Sequence, residues 1–379
     1  MSRRVVISGL GPVSGVGLGI EPTWQAALAG RSAIGPIRAF DAAAFPCRIA
    51  AEVPDFKVQP FVPKSYRKAV KVMARDIELA VAAADLAARD ARLVTKGTGN
   101  GDAAAPPLSY PADRVGAHIG AGLIATDLNE LTDALDQSRD AAGHFDIHRW
   151  GREGMNQLSP LWLLKYLPNM LACHVTIIHD ARGPSNTITC TEASSGLSIG
   201  ESLRVIQRGS ADACFCGGVQ SLINPMEFTR QLMSGRLNLG DNDRPQQAVR
   251  PFCQTAAGTV AGEGGAIVIL EALDTFTRRC ATTPADAATP APRAYAEAVG
   301  FGASQTVCRE SRNFQPDPQG LAIASAIRAA LKDAASSPDQ IDLIVPFGCG
   351  CPAYDLAEAS ALRAVFGARL SGVPVVSFK

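Results

Sequence analysis

The chain alternates short, unbroken apolar runs with longer stretches in which Ala and Leu recur three and four residues apart. The first pattern predicts buried strands and the second predicts helices with one apolar face. RRVVISGLG (3–11) reads as a strand ending in glycines, ARDIELAVAAADLAARDA (74–91) as a helix, and DRVGAHIGAG (113–122) as a second strand. The same order returns later: RAYAEAVGFG (293–302), GLAIASAIRAALKDA (320–334) and IDLIVPFGCG (341–350). Both helices end in a charged pair followed by Ala. Strand, helix, strand and a glycine-rich end thus occur twice, which predicts an internal duplication of a βαβ-containing half.

The first half continues with a helix around 159–171, a strand within GPSNTITCTEASSGLSIG (183–200), a helix over 193–209, and strands over 211–219 and 262–273. The second half adds a helix over 355–367 and a strand over 373–378. It is then one helix and at least two strands short of the first, so the sequence is expected to stop mid-fold. Two stretches rich in Pro, Ala, Gly and Thr, 95–111 and 280–293, read as surface connections. The division expected is 1–275, a linker over 276–293, and 294–379. The fold class is α/β.

Composition narrows the function classes. The 36 basic and 36 acidic side chains balance, which gives no pull toward nucleic acid or an anionic membrane. No run of eighteen apolar residues is present, so no membrane span is expected. The N-terminal MSRRVVISGLGPVSG is a strand entering a turn and lacks the long apolar core of a signal peptide. The ten cysteines form no even framework and fit free thiols in a cytoplasmic protein.

The stretch 183–200 passes from apolar to small to helical, the pattern of a strand that turns sharply into a helix and presents a nucleophile. Its candidates are Cys190, Glu192, Ser194 and Ser195. Each has a plain structural alternative. Ser194 and Ser195 suit helix capping and close packing. Cys190 precedes the helix and suits a buried structural position. Glu192 suits the first turn of a helix, where the dipole favours an acid by roughly 0.3–1 kcal/mol. Cys349 and Cys351 lack a second thiol pair or nearby histidine, and suit packing against a glycine-rich turn more than a metal. GLGPVSGVG lacks the downstream dinucleotide fingerprint.

Taken together, RRVVISGLGPVSGVG, WQAALAGRSAIGPIRAFD, GPSNTIT, GGVQSLINP, RPFCQTAAGTVAGEGGAIVILE, PFGCGCPAYDLAEASALRAVFG and VPVVSFK resemble, in order, the β-ketoacyl-[acyl carrier protein] synthases. The resemblance covers nearly the whole chain. It implies a thiolase-like fold of two duplicated halves in five αβαβα layers, with the second half incomplete at the C-terminus. It also implies a decarboxylating condensation, in which a cysteine at a helix N-terminus carries the acyl chain. There the dipole and backbone N–H groups assist. Two histidines of the second half, supported by a lysine and a glutamate, act on the malonyl thioester.

Laid over 183–200 without a gap, the family's nucleophile position falls on Glu192, and Cys190 falls two residues early. The first histidine position is Phe347, with Asp355 and Glu358 kept. The family lysine is Lys379, and the second histidine would follow it. The five histidines, His118, His144, His148, His174 and His179, all precede residue 180. Cys253, Ala256, Ala257 and Thr259 stand where the family has Asp, Arg, Asp and a gating Phe. The glycines Gly217, Gly218, Gly258, Gly262 and Gly264 are kept, so the pattern preserves backbone geometry and loses chemistry.

The resemblance therefore implies a homologue without condensing activity, similar to the chain-length-factor subunits of type II polyketide systems. Glu192 would fill the acyl site as a plug. Such a subunit would form a homodimer, or a heterodimer with an active synthase, through the strand near 211–219. It would bind acyl carrier protein in the cytoplasm and need no cofactor, because the acyl group arrives on the carrier's phosphopantetheine. Two alternatives stay open: an active synthase or malonyl decarboxylase using unorthodox residues, with Cys190 as nucleophile, and a purely structural dimer.

Overall fold

The computed structural model describes residues 3–99, 107–283, 291–307 and 315–378. Five strands build the core of its central sheet: β1 (Val5–Ser14), β2 (Val115–Gly120), β3 (Ser185–Ile188), β4 (Ala213–Ser221) and β5 (Ala261–Ala272). Their spatial order is β1-β5-β4-β2-β3. The contacts β1–β5 and β5–β4 are antiparallel, whereas β4–β2 and β2–β3 are parallel. Every residue of β2 is buried, as expected for a strand covered on both faces.

Helices supply that cover. Helix α1 (Arg75–Asp90) and helix α2 (Met170–His179) lie on one face, their Ala, Leu and Val side chains sharing a core with Ala117, Ile119, Phe215 and Ile267. Helix α3 (Ser194–Gln207) lies on the other, where Leu203, Val205 and Ile206 meet Cys214, Cys216 and Leu270. Two later helices, α4 (Leu321–Asp333) and α5 (Pro352–Phe366), pack on each other.

The duplication has a physical imprint. A Cβ added to Gly9 would sit 2.7 Å from the Ala91 Cβ, and one added to Gly300 would sit 2.8 Å from the Ala334 Cβ. Gly11 likewise lies on Ala83 and Ala87, and Gly302 on Ala326 and Ala330. Between each glycine pair, one backbone N–H donates to the aspartate ending the helix: Leu10 to Asp90 Oδ2 at 2.8 Å, and Phe301 to Asp333 Oδ2 at 2.9 Å. The same joint between a Gly-x-Gly segment and a helix is thus built twice from the same residue types. The second copy docks onto α3, with Phe301 against Gly200 and Arg204 paired to Asp333 at 2.8 Å.

Several expected elements differ. The helix around 159–171 is instead a short 3-10 turn, Trp162–Lys165, followed by α2. Pro168 separates them, because it lacks an N–H and disfavours helical geometry in the residue before it. The strand over 293–302 reduces to Ala296–Glu297, paired with β1. The strands over 341–350 and 373–378 reduce to a parallel bridge between Ile344 and Val375. Pro346 and Pro374 interrupt both segments, and among the described residues no third strand flanks them, which leaves a two-strand unit marginal. Of the expected linkers, a helix over Leu273–Thr282 occupies the start of the second, anchored by the buried Arg279–Glu271 pair. Residues 100–106 and 284–290 lie outside the described residues.

Candidate active site

Strands β2, β3 and β4 end beside the N-terminus of α3, and two glycines permit the approach. A Cβ on Gly120 would lie 2.6 Å from the Ser195 nitrogen, and one on Gly218 would lie 2.7 Å from the Ser195 Cβ. The chain enters α3 through a single turn, Thr191–Ala193, with Thr191 held at φ 47°. A β-branched residue in that region is strained. The buried Ser194 hydroxyl fixes the turn: it accepts the Cys190 N–H at 2.7 Å and donates to the Thr191 carbonyl at 2.7 Å. Ser194 therefore braces the turn instead of capping α3, whose N-cap is Ala193 with no side-chain bond.

The thiol expected to be buried, Cys190, is exposed. Its backbone precedes α3 and is turned by the Ser194 contact, so the side chain is left outside the packed layer. Glu192 lies within the turn, and its carboxylate pairs with the Arg236 guanidinium. Arg236 also donates to Gln231 Oε1 at 3.0 Å and stands 5.7 Å over the Tyr354 ring. Burial works against ionisation of Glu192, but the bonds from Arg236 and the local backbone outweigh it and hold the carboxyl below its usual range. A paired carboxylate is a poor nucleophile toward a thioester.

The other second-half positions organise backbone. Asp355 accepts N–H bonds from Phe252 at 2.8 Å, Cys349 at 3.0 Å and Gly350 at 3.2 Å. Glu358 accepts from Phe347 at 2.8 Å and Gly348 at 2.9 Å. The two carboxylates thus hold the 347–350 turn, with Phe347 facing the site. Lys379 lies outside the described residues.

Two cavities meet at this point. One, of about 610 Å³, runs past Gly122, Ser195, Gln220 and Phe347. The other, of about 860 Å³, runs past Asp317, Ile323 and Tyr354. Thr191, Glu192, Arg236 and Cys351 line both, so the ion pair stands in their shared wall. No histidine is among the described residues lining either cavity. His118, His174 and His179 are buried in the first half and bonded to Ser202, Tyr66 and Thr95. Burial pushes His174 down to about 4 and His179 to about 3.

Two features escaped the sequence reading. Arg236 carries no signal in LMSGRLN, because its partner lies 44 residues away. The second is a basic strip. Lys64, Arg67, Lys68 and Lys71 are exposed on the turn Lys64–Val72. It was legible as charge patterning: 57–75 holds six basic residues and no acid.

Comparison with known proteins agrees with this architecture. The family described as "Beta-ketoacyl synthase, N-terminal domain" matches residues 2–275, and "Beta-ketoacyl synthase, C-terminal domain" matches 295–379. A 3-oxoacyl-[acyl-carrier-protein] synthase 2 from Synechocystis sp. is 32% identical across the whole chain, which spans 80% of that relative. One from Coxiella burnetii is 33% identical with the same coverage. Among solved structures, the ishigamide ketosynthase/chain length factor matches all of this chain and 81% of its own, with a TM-score of 0.76 and 27% identity. The strand–turn–helix at residues 185–207, the twice-built glycine joint and these matches converge: the chain is a thiolase-like α/β protein and belongs to the β-ketoacyl synthase family.

Proposed function

We propose that this chain is a family member without condensing activity of its own, serving as a chain-length-factor-like partner to a cysteine-bearing synthase. The observation that carries this reading is the Glu192–Arg236 pair. It occupies the turn before α3, in the wall shared by two cavities, where a free thiol is needed for acyl transfer. With Phe347 at the first histidine position, the 347–350 turn offers no imidazole to a malonyl thioester. The retained glycines and cavities suit a subunit that shapes the space for a growing acyl chain. The likeness to a ketosynthase/chain length factor supports a partner of that kind.

The acyl group would arrive on the phosphopantetheine of an acyl carrier protein, so no cofactor of the chain's own is required. The basic strip at Lys64, Arg67, Lys68 and Lys71 suits an anionic arrival of this type. A cytoplasmic location is part of the proposal; no helix among the described residues is long and apolar enough to cross a membrane.

The test incubates the purified chain with radiolabelled acyl and malonyl carrier thioesters, alone and with a co-expressed cysteine-bearing synthase. Alone, no stable acyl label and no carbon dioxide release are expected; together, the two chains should co-purify. Because Cys190 is exposed, Cys190→Ala accompanies the wild type. Stable labelling that vanishes in this variant would establish an active enzyme and overturn the proposal.

A further inference from the structure

The site contains a second pair of groups that neither the condensation chemistry nor the partner reading uses. Cys349 and Cys351 are free thiols separated only by Gly350. Gly350, at φ 77°, turns the chain between them. Residues two apart keep their Cα atoms within about 7 Å, close to the range a disulfide spans. Both side chains are buried from bulk solvent, yet both line the 610 Å³ cavity and Cys351 also lines the larger one.

The two thiols differ. Cys351 is the N-cap of the fifteen-residue α5, where the helix dipole favours a thiolate. The two thiols interact with each other, and that contact, with the Thr259 N–H and the Arg236 charge beside Cys351, holds Cys351 below its usual value while Cys349 is raised. When protonated, Cys351 donates to the Arg236 carbonyl, with the sulfur at 3.4 Å. A thiol at a helix N-terminus, lining a cavity and next to a second thiol, is the arrangement of a redox-active pair.

We propose that Cys351 and Cys349 form a peroxide-reactive dithiol site in the wall shared by the two cavities. The Cys351 thiolate attacks a peroxide oxygen. The O–O bond breaks, an S–O bond forms, and the alkoxide or hydroxide leaves and takes up a proton. Sulfur is oxidised to sulfenic acid as the peroxide is reduced to alcohol or water. Cys349 then attacks the sulfenic sulfur, forming the S–S bond, and hydroxide leaves as water with the Cys349 proton. A bridge over so short a loop is strained and therefore readily reduced again by a thiol.

The full chain would be treated with graded hydrogen peroxide, alkylated, digested with trypsin and analysed by mass spectrometry. Residues 333–363 form one tryptic peptide holding these two cysteines and no other. Once oxidised it is expected to take up no alkyl group and to weigh about 2 Da less than the free dithiol peptide, the two thiol hydrogens, and to accept two alkyl groups after reduction with dithiothreitol. Cys349→Ser should leave a sulfenic acid on Cys351 that dimedone traps, whereas Cys351→Ser should leave Cys349 reduced. Circular dichroism establishes that each variant is folded, and wild-type alkylation rates at several pH values provide an independent readout, with Cys351 reacting ahead of Cys190. If peptide 333–363 stays reduced while the exposed Cys190 and Cys253 oxidise, or if Cys351→Ser leaves the oxidation of Cys349 unchanged, the proposal is overturned.

Discussion

Glu192 sits within a strained turn, with 35% of its side chain exposed, and leans on one guanidinium. That contact makes it sensitive to acid. A carboxyl whose folded-state pKa lies below its unfolded value contributes stability fully above the unfolded value. The contribution is lost as pH falls through the folded value. Glu192→Gln keeps the shape and removes the charge. At pH 7 the variant should be less stable by about 1 kcal/mol, the scale of a pair that water still reaches. The difference should shrink as pH drops below about 4.3, the ordinary glutamate value. Urea unfolding of both proteins at pH 7, 5 and 3.5 checks this; a constant difference would assign the effect to packing. The turn that holds Glu192 was legible because the stretch 183–200 passes from an apolar run through small residues into a helical pattern. The partner of Glu192 was not, because Arg236 reaches it only through tertiary folding. Cys190 was misjudged for a related reason: burial at a strand–helix junction depends on which way a braced turn throws the side chain.

At the scale of elements, the joint between a Gly-x-Gly segment and a helix is the unit used twice. Gly11 and Gly302 each face the backbone of a helix, at Ala83 and Ala326 respectively. An added methyl group must separate the glycine segment from its helix, at a cost of roughly 1–3 kcal/mol. Gly11→Ala and Gly302→Ala should therefore both lower the melting temperature. Gly196→Ala is the control: nothing lies within 4 Å of its added Cβ, and Ala in a helix should raise stability by roughly 0.5–1 kcal/mol. Thermal melts followed by circular dichroism compare the three. If Gly302→Ala leaves the melt unchanged while Gly11→Ala lowers it, the second joint is not equivalent to the first. These joints were legible because apolar run, small-residue helix and closing Asp-Ala recur together. The strands over 341–350 and 373–378 were over-read. Their apolar content is real, but Leu343 and Val345 remain exposed, and apolar composition alone cannot supply a neighbouring strand to pair with.

At the scale of the molecule, the balanced 36 and 36 charges conceal a local imbalance. Net charge says little about steering when basic residues cluster on one exposed segment, because exposed charges act over about 10 Å at 0.1 M salt. Lys64, Arg67, Lys68 and Lys71 lie on one exposed turn with no acid between residues 57 and 75. An approaching phosphopantetheine-bearing carrier would meet that face with long-range attraction, which raises the association rate more than it strengthens the final contact. Reversing Lys64, Arg67 and Lys68 to Glu together should slow carrier association by about tenfold or more at low salt. The dissociation rate should change less. The wild type should lose its advantage as sodium chloride rises from 50 to 500 mM (an order-of-magnitude span, roughly 14 to 4 Å in screening length), and the two proteins should converge. Surface plasmon resonance with immobilised acyl carrier protein separates the two rates. Far-ultraviolet circular dichroism establishes that the exposed substitutions leave the fold intact. An unchanged association rate at low salt would mean that the carrier docks elsewhere, and the strip would then have no part in delivering acyl groups to the cavities at Glu192.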